Sequence, residues 1–130
     1  MGAHVYLDSD AVNAADELKK LGGAKVILST APSGKAMSAL VDGLGANGTM
    51  LVIGVGPDPI SVSAAQLIFG NKAVKGWASG TAPDSEDTLR FSEYTGVRAM
   101  IEKYPLEKVN DAWARLVSGK AQFRVVLTMS

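Results

Sequence analysis

Apolar residues change their spacing repeatedly along this chain, and the changes outline its elements. Val26, Ile27 and Leu28 stand consecutively between Lys25 and Ser29, a run typical of a strand covered on both faces. Residues 30–34 are small and polar with one proline, so the chain turns there. Ser33 is placed to cap the helix that follows. Its Ala36, Met37, Leu40, Val41 and Leu44 recur at the three-and-four spacing of one helix face. Gly43, Gly45 and Asn47-Gly48 end that helix, and residues 50–55 are again apolar throughout. Two covered strands joined by an amphipathic helix form a βαβ unit, with a right-handed crossover and a parallel pair.

The remaining segments are placed against that unit. Residues 4–7 have the composition of a short strand, and Asp8-Ser9-Asp10 supplies turn and cap residues. Either Ser9 or Asp10 is the expected N-cap of a helix over residues 11–21, stopped by Gly22-Gly23. Residues 60–63 alternate as an edge strand does, and Ser63 with Gln66 has capping-box spacing for a brief helix ending at Gly70. Residues 73–78 are a further strand, with Gly76 read as a point of close backbone approach. Ser85 or Asp84 is expected to cap a helix over residues 86–95 that stops at Gly96. After a connector, residues 106–118 carry an apolar stripe of Leu106, Val109, Ala112, Trp113, Leu116 and Val117, and residues 123–127 form a last strand.

The alternation predicts the α/β class, with one mostly parallel sheet flanked by helices. Ligands of such sheets sit at the carboxyl ends of the strands. That rule singles out residues 29–33, 53–56 and 77–80.

Composition narrows the function. The 130 residues make one domain's worth of chain, with formal net charge +0 and no basic block, which disfavours nucleic-acid and membrane-surface partners. There is no cysteine and only one histidine, His4, so thiolate zinc sites are out of reach. No apolar run approaches the roughly 20 residues that span a bilayer, and a cytoplasmic location is expected.

The individual motifs are modest. Ala31-Pro-Ser-Gly-Lys35 faintly suggests a phosphate loop, but Ser29 and Ala36 stand where the Walker pattern needs a glycine and a hydroxyl residue. Asp8 either grips a ribose or caps a helix, and no glycine-rich turn precedes it. Trp77 and Trp113 either stack on a base or belong to the core, and the stripe favours core for Trp113. Arg124, opening the last strand, either meets a phosphate with its forked guanidinium or lies in water at the rim.

Taken together, GGAKVILSTAP, LVIGV, AVKGWASGT and PLEKVNDAWARLVSGKAQFRVVL resemble the C-terminal half of the zinc-type alcohol dehydrogenases, in the medium-chain dehydrogenase/reductase family. The likeness runs over residues 2–129, and its most specific part is Pro105–Val109, Ser118–Lys120 and Arg124–Leu127. It implies a partial Rossmann-like fold that lacks the first two Rossmann strands. In the family order 3-2-1-4-5-6, the chain would keep strands 3 to 6, leaving residues 26–29 with an open edge. Residues 4–7, or a second chain, would close that edge.

The resemblance also implies roles. Ser29, Thr30 and Ala31 would lie beside the adenosine of NAD or NADP. The backbone at Ile53, Gly54 and Val55, and at Trp77 to Ser79, would bond the nicotinamide carboxamide, and Arg124 would contact the pyrophosphate. Residues 60–62 resemble the segment through which these enzymes dimerise. The catalytic zinc domain of the family has no counterpart here, so no catalytic or metal-binding residue is named. The expectation is one truncated dinucleotide-binding domain, residues 1–130, from an alcohol-oxidising enzyme, itself inactive. The alternative is a stand-alone dimerisation module that binds no cofactor. Met1 is either a true start or a boundary within a longer protein.

Overall fold

In the computed structural model, which describes residues 2–129, β1 (Ala24–Ser29), β2 (Leu44–Val52) and β3 (Ala73–Gly76) pair in that order, every neighbour parallel. The βαβ unit therefore forms, with α2 (Gly34–Leu40) and a 3-10 turn (Val41–Gly43) as its crossover. Ser33 caps α2 by accepting the Ala36 N–H at 3.2 Å. Ile27, Met50 and Val74 stand abreast in the sheet, against a core of Met37, Val41 and Leu44. Met50 and Val41 are fully buried, and each such side chain contributes about 1.5–3 kcal/mol.

Only one face of β1 is covered in this way. Val26 and Leu28 point to the other face and are each 58% exposed, against the expectation of a doubly covered strand. β2 starts earlier than its apolar run. Ala24 pairs with Leu44, the ladder resumes at Val26 with Thr49, and residues 45–48 bulge opposite Lys25 alone. Within the bulge, Asn47 takes φ 55° and donates its N–H to the Gly70 carbonyl at 2.7 Å.

Several other expectations are corrected in this part of the chain. Residues 4–7 form no strand, and among the described residues 2–7 make no main-chain hydrogen bond, so they do not close the β1 edge. The N-cap of α1 (Ala14–Lys20) is Asn13, whose Oδ1 accepts from Ala15 and Asp16 at 3.1 and 3.3 Å. Asp8 instead organises a turn of its own, its Oδ1 accepting from Asp10 and its carbonyl from Ala11 and Val12. Residues 60–63 are not a strand. The Ser61 N–H donates to Ser38 Oγ on α2 at 2.9 Å, and Ile60 and Val62 pack against the core. The Ser63–Gln66 capping box does open α3 (Ala64–Ile68). A Cβ placed on Gly76 would meet nothing within 4 Å, so no described part of the chain itself approaches that residue closely.

The chain divides into two units, Met1–Ser79 and Gly80–Ser130, and the second has its own sheet. α4 (Ala82–Thr95) is capped by Thr81, with Asp84 as its capping-box partner, rather than by Asp84 or Ser85. It stops at Gly96, which takes φ 70°. β4 (Ile101–Pro105) and β5 (Arg124–Thr128) pair in parallel, joined through a 3-10 turn (Leu106–Lys108) and α5 (Val109–Val117). The last strand thus belongs to a separate two-stranded sheet, not to the sheet of β1–β3. On α5 it is Ala112 that is buried, at 3%, while Trp113 is 66% exposed. The next residue around a helix lies about 100° away, so Trp113 stands at the rim of the shallow hollow over Val125 and Leu127.

Candidate functional site

Parallel pairing brings the carboxyl ends of three strands side by side. Ser29, Val52 and Gly76 are abreast in register, so Thr30, Ile53 and Trp77 leave the sheet at one edge. The Ser29 carbonyl accepts from both the Ile53 and Gly54 N–H groups at 3.0 Å, and the Val52 carbonyl accepts from Trp77 at 3.0 Å. These bonds press residues 53–56 against 30–32. A Cβ on Gly54 would sit 2.6 Å from the Thr30 and Ala31 carbonyl oxygens, and one on Gly56 would collide with the Pro32 carbonyl. Both positions need glycine's lack of a side chain for the chain to approach so closely.

The bonding leaves specific groups over. Among the described residues, the Ile53 carbonyl and both main-chain groups of Val55 make no main-chain hydrogen bond. Val55 is 90% exposed. A free carbonyl beside a free N–H matches a primary amide, which carries one acceptor oxygen and two donor hydrogens. Trp77 is 58% exposed, and the Lys75 ammonium lies 5.3 Å from its ring centroid, so one ring face already carries a cation. Ser79 follows two residues on and ends the first unit. An open groove of about 1010 Å³ borders Ala31, Ser33 and Lys35, together with Asp10, Asn13 and Asp16.

Arg124 stands in the second unit as the first residue of β5, opposite Ile101. Its N–H donates to the Met100 carbonyl at 3.3 Å. Among the described residues no carboxylate forms an ion pair with its guanidinium, which suits an anionic ligand. Arg115, on α5, is committed elsewhere. Arg115 donates from Nε and Nη2 to Glu102 at 2.7 and 2.8 Å, and the Gln122 N–H adds a third bond to that carboxylate at 3.0 Å. The Arg115 side chain, then the Gln122 N–H, hold the Glu102 carboxyl at about 2, and Glu102 in turn pushes the Arg115 guanidinium up. This pair was not picked out from the sequence. Its members lie 13 positions apart on a strand and a helix, and only the closed β4-α5-β5 unit brings them together.

Among the described residues no group of three His, Cys, Asp or Glu side chains is placed to hold a metal ion. The residues present do not fit a zinc site.

Parallel sheets flanked by helices, with glycine-lined strand ends, define a Rossmann-like α/β architecture. Comparison with known proteins agrees. Residues 1–94 match the family model described as zinc-binding dehydrogenase, and the chain belongs to that family of alcohol dehydrogenase-like oxidoreductases. It is 39% identical over 129 residues to the alcohol dehydrogenase patD of Penicillium expansum, covering 99% of this chain and 38% of that protein. A cinnamyl alcohol dehydrogenase structure from Sorghum bicolor superposes with TM-score 0.82 at 30% identity, over 97% of this chain and 35% of the other. An alcohol dehydrogenase from Aeropyrum pernix shares the fold, with TM-score 0.86 at 20% identity, over 98% and 38% of the two chains. The chain thus spans well under half the length of the relatives it matches.

Proposed function

We propose that this chain is the distal part of the nicotinamide-dinucleotide-binding domain of an alcohol-oxidising dehydrogenase. The unengaged Ile53 carbonyl and Val55 N–H at the strand ends carry the proposal, since a carboxamide needs that pair of groups. On this reading Gly54 lets the chain approach the ligand, with Trp77 and Ser79 lining the same edge. Thr30 and Ala31 lie beside the adenosine. For the second unit, taken by itself, the reading assigns Arg124 a phosphate-binding role through its fork of donors. NAD or NADP, when bound, accepts or returns the hydride. The residues of this chain orient the cofactor and take no part in proton transfer at the alcohol. The remaining machinery of the family, zinc included, lies outside what these residues supply. The chain alone is therefore expected to be inactive, and to bind dinucleotide weakly. A cytoplasmic site of action and a homodimeric assembly complete the proposal.

Calorimetric titration of the chain with NAD and with NADP tests the reading. Saturable binding that Arg124→Ala weakens about tenfold, the value of a charge-assisted hydrogen bond, supports it. Silence toward both cofactors, together with a stable dimer, instead identifies an interaction module.

A further inference from the structure

We propose that Glu102 is a positioning residue for Arg124, holding through Arg115 and the Gln122 N–H the loop that sets where the Arg124 guanidinium stands toward a diphosphate. The proposal rests on the role assigned to Arg124 above. Ile101 pairs with Arg124 and Glu102 with Val125, so Glu102 and Arg124 occupy opposite faces of the two-stranded sheet. Direct attraction between them is therefore not the link. The link is the main chain.

One carboxylate gathers three donors from two directions: Nε and Nη2 of Arg115 on α5, and the N–H of Gln122 two residues before Arg124. The Phe123 and Arg124 N–H groups then both reach the Met100 carbonyl, at 3.0 and 3.3 Å. Residues 122, 123 and 124 are thus each tied to β4 or to the residue just before it. The Glu102 and Arg115 side chains retain only 24% and 35% of their exposure. A forked, partly shielded pair fixes geometry better than a single bond in open water. Without it the loop keeps the Met100 bonds but loses its anchor at Gln122, and the start of β5 is free to shift.

The test is a double-mutant cycle on the full chain, read as NAD affinity by calorimetry. Glu102→Gln removes the charge, and Arg115→Lys keeps charge but removes the fork. Each is expected to weaken NAD binding about fivefold, within the range of coupling between residues of one hydrogen-bond network. In an Arg124→Ala background the same changes are expected to cost nothing further, because they act through a side chain no longer present. An equal loss with and without Arg124 reduces the pair to general scaffolding and overturns the proposal. Unchanged affinity in Glu102→Gln, while Arg124→Ala weakens binding, overturns it as well and leaves Arg124's role intact. If Arg124→Ala changes nothing, or the unmodified chain takes up no NAD, the role of Arg124 falls and the proposal with it. Should Glu102→Gln lose its circular-dichroism signature of folding, Arg115→Lys carries the comparison.

Discussion

Glu102 keeps its charge down to about pH 2 because the Arg115 fork and the Gln122 N–H converge on it. In the unfolded chain the same carboxyl titrates near its ordinary value of 4.5. Its contribution to stability is complete above that value and is lost as pH falls from about 4.5 towards 2. In urea denaturation, the midpoint of the native sequence should exceed that of Glu102→Gln at neutral pH. The gap should close across this acidic window. A gap that stays constant from pH 7 to pH 2 would show that the carboxylate is not the stabilising species. Trp113 makes a different point at this level. Its place in an apolar stripe suggests burial, yet of that stripe Ala112 is the buried member and Trp113 stays exposed.

α1 shows how local chemistry chooses between competing caps. Asp8, Ser9, Asp10 and Asn13 all have cap-forming side chains, and the chain uses Asp8 for a turn and Asn13 for the helix. Asn13→Ala is expected to cost about 1 kcal/mol in urea denaturation, whereas Ser9→Ala should stay within about 0.5 kcal/mol. Equal effects would return the cap to Ser9. Elements whose signals are local were legible in the sequence: the Ser33 cap, the Ser63–Gln66 box, the Gly96 stop, and the apolar cores of β1 and β2. Those that depend on distant pairing were not. Leu44 joins β2 only because Ala24 lies beside it, although the glycines that follow read as a helix stop. Residues 60–63 alternate like a strand, but a serine of α2 takes their N–H and the core takes their apolar side chains. Nothing in residues 123–127 reveals that their partner is β4 rather than β1–β3.

Across the whole molecule, the carboxyl-end rule located residues 30, 53 and 77 correctly at one edge of one sheet, because parallel pairing follows from the βαβ pattern alone. What the pattern does not contain is the neighbour of β1. That strand ends the sheet, and an open edge beside exposed Val26 and Leu28 is a template for pairing with another chain. Sedimentation at micromolar concentration is expected to give a mass above the 13.5 kDa of one chain, and the pair Val26→Lys with Leu28→Lys should lower it. A 13.5 kDa species at every concentration would show that water alone covers this side.

The bulge at residues 45–48 also bears on how such a chain can vary. Four residues answer to one across the ladder, and the alignment begins afresh at Thr49. Slack is therefore stored upstream of the segment that brings Ile53, Gly54 and Val55 to their places. Lengthening or shortening the chain by a residue there can be taken up before it reaches Thr49, so the spacing of the three strand exits tolerates length drift that the stretch from 49 to 56 could not.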